Sequence, residues 1–294
     1  MSAYDVNHPT YAATLEGWWK VYAEREFLAG GFAWTGFDYR GEPSPYSWPC
    51  ISSHFGVMDT CGFPKDTYYY YQSWWGSKPV LHIFPHWNWA GKEGQEIDVW
   101  CYANLETVEL FLNGASLGSK KVEPNSHLEW KVKYAPGVLE ARGSKDGKIV
   151  LVDKRETTGP PAKLALRPDR SQIAADGEDV SAIAVEVQDA QGRIVPTASN
   201  EVRFAISGPG RLIGVGNGDP SCHESDKGDR RSAFNGLCMA FVQSVRAGAS
   251  PQLAAKAVPQ LPPEEIQIEA SAEGLAAASV VIQAIRGTPR ASVA

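Results

Sequence analysis

The sequence predicts a multidomain, mainly β protein in which two immunoglobulin-like β-sandwich domains follow a short segment of helix and strand. From residue 80 onward, apolar and polar residues alternate at period two, which is typical of strands with one buried face. A Thr-, Gly- and Pro-rich run at residues 157–161 divides this β region. Nine of the ten tryptophans precede residue 101, so the earlier part differs in composition. Together these observations predict domains at residues 1–77, 78–156 and 163–287, and a tail at 288–294.

Composition excludes several functional classes. The 294 residues are 43% hydrophobic and 21% charged, which is typical of a soluble globular protein. The net charge of −6 argues against nucleic acid or an anionic membrane as a partner. No apolar run approaches the roughly 18 residues of a membrane helix, and the N-terminus lacks the features of a signal peptide. The sequence indicates no cofactor and no metal site.

Two helices are predicted in the first 77 residues. Residues 7–10 (NHPT) combine a capping residue with a proline in the first turn, which is typical of a helix start. This helix is predicted to end near Arg25, and a short aromatic helix is predicted at residues 66–75. The apolar face of the first helix is formed by Tyr11, Leu15, Trp18, Trp19 and Tyr22.

The segment at residues 29–45 (AGGFAWTGFDYRGEPSP) carries the functional candidates. Its apolar run at residues 32–34 predicts a buried strand of a parallel sheet, which needs neighbouring strands on both sides. Polar residues follow at once, and in an α/β barrel the residues just past a strand form the binding face. A buried tryptophan followed by an ordinary charged loop is the alternative. The candidates are Trp34, Asp38, Tyr39, Arg40 and Glu42.

Residues 46–65 form a long connection without periodicity, and such connections in compact domains are often functional loops. His54 lies in this loop. A lone histidine is more often a hydrogen-bonded structural residue than a catalyst. We therefore expect His54 to act through hydrogen bonds, to a ligand or within the loop, and not in acid–base chemistry.

The first β-sandwich shows alternation and a turn signal. Asn113-Gly114 is the sequence of a two-residue hairpin turn, because both residues accept a positive φ. The regular spacing of strands and turns predicts a β-sandwich. The predicted strands are residues 96–102, 108–112, 127–133, 138–142 and 148–154.

The second β-sandwich is predicted from seven strands. An acidic group, Asp219, Glu224, Asp226 and Asp229, lacks the regular spacing of a calcium loop, so a solvated acidic loop is favoured over a calcium site. Residues 214–218 (GVGNG) are not followed by a helix and do not form a dinucleotide site. The predicted strands are residues 163–167, 180–188, 202–206, 212–215, 237–245, 266–270 and 278–284.

The five cysteines are an odd number without a CxxC motif. This pattern favours buried thiols over metal ligands or a disulfide framework. A bridge between one pair, such as Cys50 and Cys61, stays open as an alternative.

Two stretches resemble a known family. Residues 30–43 (GGFAWTGFDYRGEP) and 52–75 (SSHFGVMDTCGFPKDTYYYYQSWW) resemble the last barrel strand and closing helix of family 2 glycoside hydrolases, above all the bacterial β-galactosidase branch. The similarity continues through residues 108–118 (VELFLNGASLG) and 214–220 (GVGNGDP). It implies that residues 1–77 are the C-terminal remnant of a (β/α)8 barrel and that two β-sandwich domains follow.

The resemblance also implies what this chain lacks. In that family the general-acid and nucleophilic glutamates lie on earlier barrel strands, upstream of anything that matches this chain. Asp38 and Glu42 do not match those positions, and four residues apart in an irregular loop they do not form a fixed pair of the kind a retaining glycosidase needs. No catalytic residue is therefore predicted. The implied substrate-binding residues are Trp34, Asp38, Tyr39, Arg40, Glu42 and His54.

The implied function is that of the C-terminal portion of a retaining exo-glycosidase that hydrolyses terminal β-galactosides, with a β-glucuronidase as a sibling possibility. The implied partners are the carbohydrate and the N-terminal barrel portion, and a homo-oligomer stays open. Family members are often periplasmic or secreted, which leaves the compartment open. A non-catalytic β-sandwich module for carbohydrate binding or scaffolding is the alternative function.

Overall fold

The structure is a computed structural model that describes residues 4–6, 8, 10–246 and 264–285. The chain forms two units, Met1–Thr157 and Thr158–Ala294, which are described separately. The tail predicted at residues 288–294 lies outside the described residues. Within the described ranges, neither helix combines the length and apolarity that a membrane crossing requires.

The first unit contains two helices, α1 (Leu15–Ala23) and α2 (Asp66–Trp75). Its strands are β1 (Leu81–Phe84), β2 (Glu96–Ala103), β3 (Thr107–Leu112), β4 (Ala115–Lys121), β5 (Leu128–Lys133), β6 (Val138–Lys145) and β7 (Lys148–Glu156). In the second unit the strands are β8 (Lys163–Pro168), β9 (Gln172–Ala174), β10 (Val180–Gln188), β11 (Glu201–Ser207), β12 (Gly210–Gly216), β13 (Arg230–Ser232), β14 (Leu237–Ser244), β15 (Glu265–Ser271) and β16 (Ala278–Ile285).

Helix α1 begins later than the sequence predicts. Thr14 has an extended backbone and its hydroxyl accepts a hydrogen bond from the Gly17 amide, which makes it the N-cap. The Asp5 carboxylate accepts the amides of Leu15 and Glu16, both at 2.9 Å. Because these groups satisfy the first free amides at residue 15, the start predicted at residues 7–10 is wrong. Helix α2 has the predicted bounds, so that prediction is confirmed.

The first unit is a β-sandwich. Strands β1, β2 and β5 form one antiparallel sheet in the order β1-β2-β5, and the other sheet has the order β4-β3-β6-β7. One buried cluster takes side chains from both sheets, among them Ile83, Val99, Val108, Leu110 and Leu139. The predicted sandwich is therefore confirmed. Asn113 and Gly114 have φ of 52° and 83° in the β3–β4 turn, as their sequence predicts.

The other face of the β1-β2-β5 sheet is covered by the helices. Phe84, Trp100 and Tyr102 alternate with the core residues of β1 and β2, and together with Tyr70 of α2 they form a second buried cluster. Leu15 and Trp19 of α1 pack against this cluster. Strand β2 is therefore buried on both faces toward its C-terminal end, which explains its continuous run of apolar residues.

Several polar contacts attach the helices to the sandwich. The Trp19 indole N–H donates to the Asn125 side chain at 2.9 Å, and the Tyr70 hydroxyl donates to the Asn125 carbonyl at 2.8 Å. Glu16 Oε2 lies 2.6 Å from His127 Nδ1. Asp66 Oδ1 lies 2.8 Å from His82 Nε2. Both helices are thus fixed by burial together with specific hydrogen bonds.

The second unit is also a β-sandwich. Its sheets have the orders β12-β14-β10-β8 and β13-β11-β15-β16-β9, with a parallel pair between β16 and β9. The core contains Ile183, Val185, Val202, Ile266 and Ile268 from both sheets. All seven predicted strands are present. Strands β9 and β13 were not predicted, because three residues are too few to show alternation.

Two members of the acidic group in the second unit, Glu224 and Asp226, lie beside a buried arginine. The Arg231 side chain is 1% exposed, and its guanidinium lies 2.6 Å from Asp226 Oδ1 and 3.8 Å from Glu224 Oε2. It also donates to the Cys222 sulfur at 2.9 Å and to the Val215 carbonyl at 3.1 Å. These acidic side chains therefore balance a positive charge of the protein itself.

All five cysteines are free thiols, so Cys50 and Cys61 are not bridged. Four of the five are buried and Cys61 is partly exposed. The interpretation of the cysteines as thiols is confirmed.

The prediction of a buried strand at residues 32–34 is wrong. These residues form no strand, Phe32 is fully exposed and Trp34 is 74% exposed. In the described parts of the chain, the nearby segment pairs only through single bridges, Phe37 with Met58 and Arg40 with Ser52. Without neighbouring strands on both sides, a parallel strand has nothing to pair with or to pack against.

Candidate functional site

Residues 34–65, here called the candidate loop, are ordered by backbone hydrogen bonds between their two halves. The Val57 amide donates to the Thr35 carbonyl at 3.0 Å, and the Gly41 amide donates to the Ile51 carbonyl at the same distance. The Ser53 amide donates to the Tyr39 carbonyl at 2.8 Å. Hydrogen bonding fixes the path of the loop although it contains no strand.

Three of the predicted site residues come together on the exposed side of this loop. The Trp34 indole N–H donates to the Tyr39 hydroxyl at 3.2 Å, and the two rings meet edge to face at 6.2 Å. The Tyr39 hydroxyl donates in turn to the Glu42 carboxylate. This hydrogen bond to a carboxylate raises the pKa of Tyr39 above its ordinary value. Trp34, Tyr39 and Glu42, here called the exposed trio, offer an aromatic face and a carboxylate to solvent.

Asp38 points the other way, into the loop. Its side chain is 4% exposed, and Oδ2 lies 2.5 Å from the Lys65 ammonium. Its Oδ1 accepts the Gly56 amide at 2.8 Å and the Ser53 hydroxyl at 3.4 Å. Both oxygens are therefore occupied by groups of the protein. Asp38 holds the loop together, and the expected direct contact between Asp38 and a ligand has no support in this geometry.

Gly56 is required where the two halves of the loop cross. A Cβ atom at this position would lie 2.2 Å from the Asp38 amide nitrogen and 2.5 Å from the Met58 carbonyl oxygen. Both atoms belong to the backbone and cannot move aside easily. Any larger residue at position 56 would separate the two halves and break the hydrogen bond to Asp38.

His54 is held inside the loop. Its Nε2 lies 2.9 Å from the Cys50 sulfur, and its ring lies against Tyr46 with 4.3 Å between centroids. Its backbone carbonyl accepts a hydrogen bond from Lys65 at 3.0 Å. Arg40 is exposed, and its backbone bridges to Ser52. Of the six predicted residues, the structure brings Trp34, Tyr39 and Glu42 into mutual contact.

Sequence reasoning missed the residues that shape this loop, Lys65, Gly56, Ser53 and Cys50. Each contacts a predicted site residue from more than three positions away along the chain. The only local signal is the opposite charge of Asp38 and Lys65 at the two ends of a loop. That signal does not specify a contact, because 27 residues separate them.

Asp59 closes the far end of the candidate loop. Its Oδ1 accepts the amides of Cys61 at 2.8 Å and Phe63 at 3.0 Å, which is a local turn built by an aspartate side chain. Burial raises the pKa of Asp59, and these two amides oppose the rise. The turn brings the chain back so that Lys65 can reach Asp38.

Comparison with known families finds two matches. Residues 164–281 match the family described as glycoside hydrolase family 2 C-terminal domain 5. Residues 94–151 match a family described only as a domain of unknown function. The two matched segments correspond to most of the second unit and to the centre of the first unit's sandwich.

Several curated proteins are similar over most of this chain. The chain is 46% identical over 245 residues to the β-galactosidase BoGH2A of Bacteroides ovatus, which covers 83% of this chain and 29% of that protein. It is 36% identical over 251 residues to a putative β-glucuronidase of Formosa agariphila, covering 83% of this chain and 24% of that protein. The chain thus spans less than a third of the length of these relatives.

Comparison with solved structures also finds glycosidases that this chain matches over part of their length. The crystal structure of a β-glycosidase from Bacteroides vulgatus matches with a TM-score of 0.85 and 34% identity, over 96% of this chain and 34% of that chain. A glycosyl hydrolase family 2 member from Bacteroides cellulosilyticus matches with a TM-score of 0.81 and 30% identity, over 92% of this chain and 38% of that chain.

Proposed function

Because this chain belongs to the C-terminal part of family 2 glycoside hydrolases, we propose that it contributes part of the sugar pocket of a retaining β-galactosidase. The observation that carries the proposal is the exposed trio in a chain 46% identical to a β-galactosidase. The substrate is a terminal β-galactoside. The proposed partner of the candidate loop is a barrel portion that carries the catalytic glutamates.

The exposed trio supports a contact with sugar. The Trp34 ring is 74% exposed in a chain that spans less than a third of its relatives' length, so the ring is open either to a ligand or to the rest of the enzyme. The carboxylate of Glu42 can accept hydrogen bonds from sugar hydroxyls. An apolar ring face beside a hydrogen-bond acceptor is a combination that suits a pyranose, which has both C–H faces and hydroxyl groups.

The Glu42 carboxylate favours a neutral sugar over a uronic acid, whereas the exposed Arg40 in the same loop carries the opposite charge. Glu42 belongs to the exposed trio, so a sugar carboxylate would meet a like charge there. The ammonium of Lys65 is bound by Asp38 and by the His54 carbonyl, so it is not available to a sugar carboxylate. This supports a galactoside over a glucuronide, although glucuronidases are among the relatives.

We place the two catalytic carboxylates outside this chain. A retaining enzyme needs two carboxyl groups about 5 Å apart. Asp38 is buried and ion-paired, and Glu42 accepts the Tyr39 hydroxyl, so neither is arranged as a nucleophile or an acid. The role of this chain is then to orient the substrate, since orientation contributes several kcal/mol to lowering a barrier.

A chimera tests the proposal. The matching 29% of the Bacteroides ovatus β-galactosidase is replaced by the corresponding part of this chain, and hydrolysis of nitrophenyl β-galactoside and β-glucuronide is measured. We expect hydrolysis of the galactoside with clear preference over the glucuronide, and no turnover by the isolated chain. A folded chimera that prefers the glucuronide, or an isolated chain that hydrolyses the galactoside, would refute the proposal.

The packing of the helices favours a second role, in which the β-sandwich is a scaffold for the loop. Tyr70 of α2 is buried against Tyr102 of the sheet, which in turn packs on Phe84, and Leu15 of α1 packs on the same cluster. A rigid sheet behind α2 limits the movement of the loop that ends at residue 65. The two roles are compatible, because a scaffold is what a precisely oriented sugar contact requires.

A further inference from the structure

We propose that Lys65 is a positioning residue for the sugar site and that, with its neighbour Asp66, it connects the candidate loop to the β-sandwich. The assignment of a sugar site rests on the function proposed above. The connection itself rests on contacts within the first unit.

Lys65 holds both halves of the candidate loop at once. Its ammonium lies 2.5 Å from Asp38 Oδ2 in the first half and donates to the His54 carbonyl at 3.0 Å in the second half. Its own backbone amide donates to the Val57 carbonyl at 2.9 Å. Three contacts with segments that are 8 to 27 residues away make Lys65 the point where the loop closes.

The position of the exposed trio depends on this closure. Asp38 precedes Tyr39 directly, and the Tyr39 amide donates to the Ser53 hydroxyl at 3.0 Å. A carboxylate that is 4% exposed is costly to bury without a counter-charge. If Lys65 loses its charge, Asp38 turns toward water and carries Tyr39 with it. The hydroxyl that joins Trp34 to Glu42 then leaves its place.

The Asp66 side chain contacts the β-sandwich, whereas the Lys65 side chain contacts the candidate loop. It is the first residue of α2, and its carboxylate lies 2.8 Å from His82 Nε2 on β1. The His82 ring is stacked on Tyr69 with 3.7 Å between centroids, and its Nδ1 lies 3.1 Å from the Arg155 guanidinium on β7. Both sheets of the sandwich therefore contribute to the position of Asp66.

Two consecutive residues thus connect the loop and the sandwich. Lys65 holds the loop, and Asp66 holds the sandwich, with one peptide bond between them. A shift of α2 along the sheet would move the Lys65 ammonium away from Asp38. The sandwich thereby acts on the sugar site through this connection, at a distance from the sugar itself.

Hydrogen exchange on this chain tests the connection without any enzymatic activity. We compare Lys65→Met with Lys121→Met, which removes an exposed lysine paired with Glu123 at 3.3 Å in the same unit. The amide of Gly56, which donates to Asp38, should exchange at least ~10-fold faster in Lys65→Met and at the original rate in Lys121→Met. Lys65→Arg should restore most of the protection, because it keeps the charge. Unchanged exchange at Gly56 in Lys65→Met would overturn the proposal.

Asp66→Asn tests the half of the connection that reaches the sandwich. If the sandwich positions the loop, this variant should also accelerate exchange at Gly56, although Lys65 is intact. If exchange changes only within α2 and at His82, the loop is independent of the sandwich and that half of the proposal is wrong.

Kinetics in the chimera separate positioning from simple stabilisation. At a temperature well below unfolding, Lys65→Met should lower kcat/KM for the galactoside by about 10- to 100-fold, mainly through KM, and Lys65→Arg should recover most of it. A lower Tm with unchanged KM would make Lys65 merely structural and would refute the positioning role. If the chimera with Lys65 intact does not hydrolyse the galactoside, the proposed function fails, and the exchange result still decides the connection.

Discussion

Two tryptophans of the first unit occupy opposite environments. Trp87 in the β-sandwich is fully buried, and its indole N–H donates to the Ala135 carbonyl at 2.9 Å. Trp34 in the candidate loop is 74% exposed, and its indole N–H donates to the Tyr39 hydroxyl. One ring contributes to stability through burial. The other is mostly exposed in this chain and is joined to Tyr39 by one hydrogen bond, which leaves its ring face open to a ligand or to another part of the protein.

The β-sandwich and the candidate loop are each stabilised by a different kind of interaction. The sandwich has apolar residues from two sheets in one core, so the hydrophobic effect dominates its stability. The candidate loop is organised by backbone pairs and by the ion pair of Asp38 with Lys65. A region held by separate polar contacts can be disturbed by the loss of any one of them. We therefore expect substitutions in the loop to change function and substitutions in the sandwich to change stability.

The largest effect on stability is expected for Trp87→Ala. Removing a fully buried aromatic ring leaves a cavity and an unpaired Ala135 carbonyl, so the first unit should lose about 3 to 5 kcal/mol of unfolding free energy. Urea unfolding monitored by far-UV circular dichroism measures this loss. A loss below about 1 kcal/mol would mean that the sandwich core is not the source of stability in this unit.

Trp34→Ala should have the opposite effect, with little change in stability and a clear loss of activity. Stability of the chain should change by less than about 0.5 kcal/mol, because the ring is mostly exposed. In the chimera, loss of a stacking partner should cost roughly 1 to 3 kcal/mol, by analogy with base–aromatic stacking. That corresponds to about 5- to 150-fold in kcat/KM.

Trp48→Ala is the matched control for Trp34→Ala, because Trp48 lies in the same loop and is also highly exposed. It should leave both stability and kcat/KM nearly unchanged. Equal kinetic losses in the two variants would mean that the loop presents a general apolar surface and that the exposed trio is not a specific site.

The contact of Glu16 with His127 should make the attachment of α1 dependent on pH. Burial raises the pKa of Glu16, but hydrogen bonds from His127 and Lys20 outweigh it, and the pKa lies below its ordinary value of 4.5. A carboxylate with a lowered pKa stabilises the fold above the unfolded-state value. That stabilisation is lost as the pH falls through the folded-state value.

Glu16→Gln should therefore cost about 1 to 2 kcal/mol at pH 7 and much less well below pH 4.5, measured by urea unfolding at both pH values. The neighbouring Asp5 carboxylate does not cancel fully in the comparison, because burial raises its pKa and the charge of Glu16 adds to that rise, so the variant should also lower the pKa of Asp5. Glu129→Gln is the control, because Glu129 lies 3.9 Å from the same histidine but is exposed. An equal cost at both pH values would show that the charge of Glu16 does not matter.

The smallest effect is expected for Tyr70→Phe. This change keeps the buried ring and removes the hydroxyl that donates to the Asn125 carbonyl at 2.8 Å. One intramolecular hydrogen bond contributes about 0.5 to 1.5 kcal/mol, so the unfolding free energy should fall by that amount. A loss as large as that of Trp87→Ala would mean that α2 depends on this hydrogen bond more than on burial.

The sandwich strands could be predicted because their pattern is local. In β2, Val99 and Cys101 face the core at period two, and the pattern required no knowledge of distant residues. The same strand changes from Glu96 and Asp98 to Trp100 and Tyr102 on its other face. This change from charged to aromatic residues marks where the helices cover the sheet, and it is visible in the sequence.

The candidate site was predicted only in part. Trp34 and the polar residues that follow it were identified, and three of these residues, Trp34, Tyr39 and Glu42, lie together. Their predicted environment was wrong in one respect, because Trp34 was expected on a buried strand and is exposed. Asp38 is buried against Lys65, a pairing that the sequence did not indicate, and its contact with a ligand stays a prediction. Burial depends on what covers a residue, and no local pattern contains that information.

The sequence by itself determined most strands of both sandwiches, although not β1, β4, β9 and β13. It also determined the turn at Asn113 and Gly114, helix α2 and the resemblance to a family, because each depends on neighbouring residues or on whole motifs. Only the tertiary structure decided which side chains of the candidate loop face water. That decision depends on the contact of Asp38 with Lys65, 27 residues away, and on the close approach of the backbone at Gly56. The path of an irregular chain is set by such distant contacts, and a one-dimensional pattern does not encode them.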